Sequence, residues 1–107
     1  MASHDAVNAV RRYLRALQDH GLDVVFCVLY GSWARGESDE ESDIDVIVVA
    51  SAFDGAKDRK LVDLLWRVAA RVDSRIEPLS CGLQRWEADR SSVLLEIARQ
   101  EGVHIAA

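Results

Sequence analysis

The sequence predicts an α/β domain, a small mixed β-sheet with helices packed on it. Three observations carry this reading. Val24 to Tyr30 and Val46 to Val49 are nearly continuous apolar runs, the pattern of strands covered on both faces. Residues 4–20 and 58–72 repeat apolar side chains at spacings of three and four, the period of a helix with one buried face. The order is helix, strand, strand, helix, strand, helix, which suits a layered fold. The strands at 24–30, 43–50 and 74–79 are therefore expected in one sheet, with helices 4–20 and 58–72 packed on it.

The chain has 107 residues, half of them apolar, enough for one compact domain with a modest core. A single domain over 1–107 is expected. The net charge of −5 argues against direct nucleic-acid binding, because a phosphate backbone demands a basic surface. There is no signal-peptide pattern and no apolar run long enough to span a bilayer, so a cytoplasmic protein without membrane contact is expected. Cys27 and Cys81 lack metal-ligand spacing and read as reduced thiols.

The elements follow in order. Ser3 can cap a helix that begins near His4. Val7, Val10, Leu14 and Leu17, with Tyr13 beside them, form its apolar stripe, and Gly21 is a plausible stop. Arg11, Arg12 and Arg15 lie off the stripe, on a solvated face or a docking surface for an acidic partner. After the strand Val24 to Tyr30, Trp33 to Gly36 reads as a short helix. Trp33 either covers the core or stacks on a base. Glu37 to Glu41 reads as a solvated acidic loop, and Asp45 to Ala50 as the second strand. Ser51 to Lys57 is a loop. The helix from about Asp58 to Val72 buries Leu61, Leu65, Val68 and Val72, with Trp66 as core or interface. Arg75 to Leu79 is a third strand, placed near an edge because Pro78 cannot donate to a ladder. Cys81 to Glu87 is a connection. A helix from about Ala88 or Ser91 runs to Gln100, and Val103 to Ile105 can add a short strand on which His104 faces the surface.

The chemistry concentrates between Gly31 and Val49. Successive side chains of a strand point to opposite faces, so Asp43 and Asp45 project to one side and Ile44 to the other. Two adjacent carboxylates repel, and a hard divalent cation with oxygen ligands compensates. Gly31 and Ser32, ending the preceding strand, offer backbone N–H groups and a hydroxyl that suit phosphate oxygens. Arg35 can reach a triphosphate or pair with the acidic run. A phosphate cradle beside paired carboxylates suits metal-assisted phosphoryl or nucleotidyl transfer.

Gly31, Ser32, Gly36, Asp43 and Asp45 resemble the signature of the nucleotidyltransferase superfamily that includes DNA polymerase beta. The fuller strings Ala34-Arg35-Gly36 and Ser42-Asp43-Ile44-Asp45 look most like the minimal nucleotidyltransferases. The resemblance covers roughly Asp23 to Leu79. It implies a polymerase beta-like fold, Mg²⁺ held by Asp43 and Asp45, and a nucleoside triphosphate, most often ATP, bound at Gly31 and Ser32. It also implies a third carboxylate on the strand after the second long helix, as metal ligand or general base. Glu77 occupies that place in strand order, unless it is an exposed glutamate paired with Arg75. Minimal members are often antitoxins paired with a HEPN-type ribonuclease toxin, to which they attach AMP. Such a protein partner is the expected acceptor, with Trp66, Trp86 and the Arg11-Arg12-Arg15 face as candidate contacts. Two alternatives stand beside it: a non-catalytic binding module that covers its partner, and a small-molecule nucleotidyltransferase.

Overall fold

The computed structural model describes residues 4–36, 42–55 and 58–107. Its elements are α1 (His4–Asp19), β1 (Phe26–Tyr30), α2 (Ser32–Arg35), β2 (Ile44–Val49), a 3-10 turn (Ser51–Phe53), α3 (Arg59–Val72), β3 (Ile76–Cys81), α4 (Leu83–Ala88), α5 (Val93–Glu101) and β4 (Val103–Ala106). The expected cap Ser3 and the acidic loop Glu37 to Glu41 lie outside the described residues, as does Lys57 at the end of the expected loop.

Among the described residues the strands form one sheet in the order β3-β2-β1-β4. β1 runs antiparallel to both β2 and β4, whereas β2 and β3 are parallel, with α3 lying between them in the chain. The sheet is therefore mixed, and it joins the three expected strands. The short strand anticipated at 103–105 is β4, hydrogen-bonded to β1. β3 is an edge strand, which Pro78 tolerates, but it runs on to Cys81 rather than ending near Leu79.

Strand alternation divides the core in two. Cys27, Leu29, Ile44, Val46, Val48, Ile76 and Ile105 face α1 and α3. Val28, Ile47, Val49 and Cys81 face α4 and α5, where they meet Trp86, Leu95 and Ala98. The first face holds the larger core. In it α1 buries Ala6, Ala9, Val10, Tyr13, Leu14 and Leu17, close to the expected stripe. The buried Tyr13 hydroxyl donates to the Leu65 carbonyl at 2.9 Å and so joins α1 to α3. After α1, Gly21 N–H donates to the Gln18 carbonyl and Leu22 N–H to the Leu17 carbonyl, a Schellman ending. The Asp58 side chain caps α3 by accepting from Lys60 N–H at 2.9 Å.

Two further segments differ from the sequence reading. Val24 and Val25 are lead-in residues, and β1 begins at Phe26. The expected connection Cys81 to Glu87 instead contains helix α4. Asp54, from the loop after β2, caps that helix by accepting from Gln84 N–H at 3.2 Å. The cap is distant in sequence, so the local string carries no start signal.

Gly102, between α5 and β4, sets how closely α5 approaches β1. A methyl group there would strike the Ala98 carbonyl and the Val28 side chain, with the Leu29 carbonyl just behind. Gly102→Ala is expected to destabilise the fold by about 1–3 kcal/mol through overpacking. A lower denaturant midpoint at unchanged m-value would show it.

Candidate active site

Tyr30 ends β1, and Gly31 turns the chain into α2 with φ 76° and ψ −150°. That region is closed to residues with a side chain. The turn serves a close approach. A methyl group on Gly31 would stand 2.8 Å from Asp45 Oδ2. The glycine of the Gly-Ser pair and the second aspartate of Asp-x-Asp thus press against each other, and each explains the other. Ser32 opens α2 beside them and is half-buried.

Register assembles the carboxylates. Asp45 on β2 pairs with Tyr30 on β1 and with Glu77 on β3. The three side chains form a row across adjacent strands, on the face that α4 and α5 cover farther along the sheet. Here Tyr30 and Asp45 are half-buried and Glu77 is exposed, so the row opens to solvent. Asp43 stands just before β2 and is also exposed. Glu77 therefore lies beside Asp45, while Arg75 makes ion pairs with Asp73 and Asp5.

The electrostatics follow from this crowding. Lost solvation and then the Asp43 charge raise the carboxyl of Asp45, while a side-chain hydrogen bond with Glu77 pulls it back down. Glu77 is raised by lost solvation, by the charges of Asp43 and Asp45, and by the same hydrogen bond. Both carboxyl groups therefore lie above their ordinary range, and the hydrogen bond between them raises Glu77 while lowering Asp45. Burial also raises the Tyr30 phenol, helped by Asp45 and Glu77. The sequence alone carries no chemical signal that points to Tyr30. Its place beside the carboxylates depends on the antiparallel register, although its position directly before Gly31 is a usable positional signal.

An all-oxygen set of clustered carboxylates fits a hard divalent cation. No three His, Cys, Asp or Glu side chains among the described residues close on one point as a finished metal cage. A hard cation at the Asp45–Glu77 pair would have to take its remaining ligands from water and substrate phosphates.

The remaining candidates are placed as follows. Arg35 ends α2, is exposed, and lies 3.7 Å from Glu101 of α5. Trp33 is buried, so core packing describes it better than a base-stacking platform. Trp66 is 48% exposed on α3, which excludes the core and leaves a surface role. Trp86 is buried against Phe26 and His104, with the Arg99 guanidinium over its ring, which removes it from the candidate partner contacts. Arg11, Arg12 and Arg15 are exposed and line a shallow groove with Asn8 and Asp19. Cys27 and Cys81 are buried free thiols. No helix among the described residues is long and apolar enough to cross a membrane.

Comparison with known proteins agrees with this geometry. The chain is 36% identical over 53 residues to a Methanocaldococcus jannaschii protein named "Putative protein adenylyltransferase MJ0141". That match covers 49% of this chain and 54% of the relative, so the chain spans about half the length of that curated protein. A crystal structure described as a "putative nucleotidyltransferase from Sulfolobus solfataricus" superposes with a TM-score of 0.62 at 13% identity, over 94% of this chain and 78% of that one. A toxin–antitoxin crystal structure with AMP-PNP gives 0.61 at 22% identity, over 92% and 70%. A mutant of the toxin–antitoxin MntA-HpeT gives 0.60 at 21% identity, over 88% and 69%. These likenesses establish the polymerase beta-like fold expected from the motif. The profile of the nucleotidyltransferase domain matches residues 10–78, which include Gly31, Ser32, Asp43, Asp45 and Glu77. The chain belongs to the nucleotidyltransferase domain family.

Proposed function

We propose that this chain transfers AMP from ATP to a hydroxyl on a partner protein, as the antitoxin of a HEPN/MNT toxin–antitoxin pair. One observation carries the catalytic part: Asp45 and Glu77 stand side by side at the solvent-open end of their sheet face, with Gly31 pressed against Asp45. The name of the Methanocaldococcus jannaschii relative supports adenylyl transfer to protein. The toxin–antitoxin structures of like fold support a protein partner.

Each residue has a role in this reading. Asp43, Asp45 and Glu77 would hold Mg²⁺, with water and substrate phosphates completing its ligands, since these side chains do not themselves close a cage. The chemistry supplied there by a bound Mg²⁺ would be neutralisation of phosphate charge and a lower pKa of the acceptor hydroxyl. The N–H groups and hydroxyl of Gly31-Ser32 hold the phosphates that leave as pyrophosphate, and Arg35 adds positive charge beside them. Glu77 takes the proton of the attacking hydroxyl; lost solvation and the charges of Asp43 and Asp45 raise its pKa, which makes its carboxylate a stronger base. The hydroxyl oxygen attacks the α-phosphorus, and the bond to pyrophosphate breaks.

The test is labelled ATP with Mg²⁺ and a lysate of the source cell. A labelled protein band is expected. A labelled small molecule, or no label at all, would overturn the reading. Calorimetry supplies a second check. Because the carboxylates alone do not close a cage, Mg²⁺ or Mn²⁺ should bind weakly alone and much more tightly with ATP. Asp45→Asn should abolish the difference. Equal metal affinity with and without ATP would contradict the assignment.

A further inference from the structure

We propose that Trp33, clamped by Arg75, is a positioning residue that fixes where Asp43 stands relative to Asp45 and Glu77; this rests on the metal-site reading above.

Asp43 precedes β2, so the strand ladder does not hold it as it holds Asp45. Its two chain neighbours are held instead. On one side the Trp33 indole Nε1–H donates to the Ser42 carbonyl at 3.1 Å. On the other side the Ile44 N–H donates to the Arg75 carbonyl at 2.7 Å. The backbone around Asp43 is thus pinned at both ends, by a residue of α2 and by the residue that leads into β3.

The two pins are joined. The Arg75 guanidinium lies 5.5 Å from the centre of the Trp33 ring, within cation–π range. That guanidinium is itself fixed. It makes a fork to Asp73, with Nε at 3.0 Å and Nη2 at 2.7 Å, and its Nη1 reaches Asp5 of α1 at 3.0 Å. Trp33 is 5% exposed, and an indole so enclosed has little freedom to swing. The result is a relay from the start of α1 through Arg75 and Trp33 to the peptide before Asp43.

The indole N–H is the specific element. Phenylalanine would keep a ring under Arg75 and most of the packing, but would release the Ser42 carbonyl. Asp43 would then sample positions away from Asp45. A partner that orients a metal ligand commonly accounts for roughly 10–100-fold in metal affinity.

The experiment titrates Mn²⁺ into the protein with a non-hydrolysable ATP analogue, by calorimetry. Trp33→Phe should bind Mn²⁺ about tenfold more weakly, with its melting temperature little changed. In an Asp43→Asn background the same change should cost nothing further, because the residue it positions is gone. Raising Mg²⁺ should restore transfer by Trp33→Phe, which a general loss of packing would not allow. Unchanged Mn²⁺ affinity in folded Trp33→Phe overturns the proposal, as does an equal further loss in the Asp43→Asn background. If Trp33→Phe does not fold, Arg75→Lys, which loses the fork, is judged by the same two outcomes. If the parent itself takes up no Mn²⁺ with the analogue, the metal-site reading fails and this proposal with it. An active, metal-binding parent with an indifferent Trp33 refutes the positioning role alone.

Discussion

Gly31→Ala should lose nucleotidyl transfer by at least about 10²-fold while also losing about 1–3 kcal/mol of stability. The stability loss arises because the conformation of Gly31 is one that a side chain forbids, at a cost of about 1–3 kcal/mol. The activity loss has a separate cause. The new methyl group would lie 2.8 Å from Asp45 Oδ2, too close for both to remain in place. Either Asp45 moves or the Gly31-Ser32 turn does, and each belongs to the proposed site. A shift of about 1 Å in reacting groups can cost roughly 10²-fold. Steady-state transfer beside chemical denaturation would separate the two effects. A destabilised but fully active Gly31→Ala would show that the contact with Asp45 is mere packing.

Glu77→Gln should separate stability from catalysis in the opposite sense. Asp43, Asp45 and Glu77 crowd one another, and both Asp45 and Glu77 have raised pKa values. A carboxyl whose pKa is higher in the folded state binds its proton more tightly there than in the unfolded chain. Its ionisation therefore opposes folding as pH rises from the unfolded value, about 4, through the folded one. Without metal, the parent should become more stable as pH is lowered from 7 towards 5. Glu77→Gln should be at least as stable as the parent at pH 7, with a shallower pH dependence. Transfer should fall by roughly 10²–10⁴, the usual cost of losing a general base. Melting in chelator across that pH range, beside a transfer assay, checks both. Full activity in Glu77→Gln would remove it from the proposed machinery.

The legible part of the candidate site is the part written locally. Gly31-Ser32 and Asp43-Ile44-Asp45 fall within one short stretch, and strand parity alone sets both aspartates on one side. Glu77 could be anticipated because the family resemblance places a third carboxylate on the strand after the second long helix, and Ile76 marks the core side of that strand. What escaped depends on contacts distant in sequence. Helix α4 owes its start to Asp54. Tyr30 reaches the site through its antiparallel partner Asp45, and a string that reads as a covered strand does not reveal which end is open. Trp86 looks like a free aromatic until Phe26 and His104 enclose it. The apolar run from Val24 overstates β1, because Val25 is 43% exposed.

The parallel pairing of β2 with β3 also sets an order of events during synthesis. Gly31, Asp43 and Asp45 leave the ribosome together, and β1 and β2 can zip as an antiparallel pair at once. Glu77 cannot join them until all of α3 has emerged and folded back, since a parallel neighbour requires a long crossover. That closure is slow relative to a hairpin. The nascent chain thus carries two of its three acidic groups for some time before the third arrives. On the proposed mechanism it stays catalytically silent until the edge strand docks, so a ribosome-bound chain stalled before Glu77 would be inert towards ATP however well its first two strands had formed.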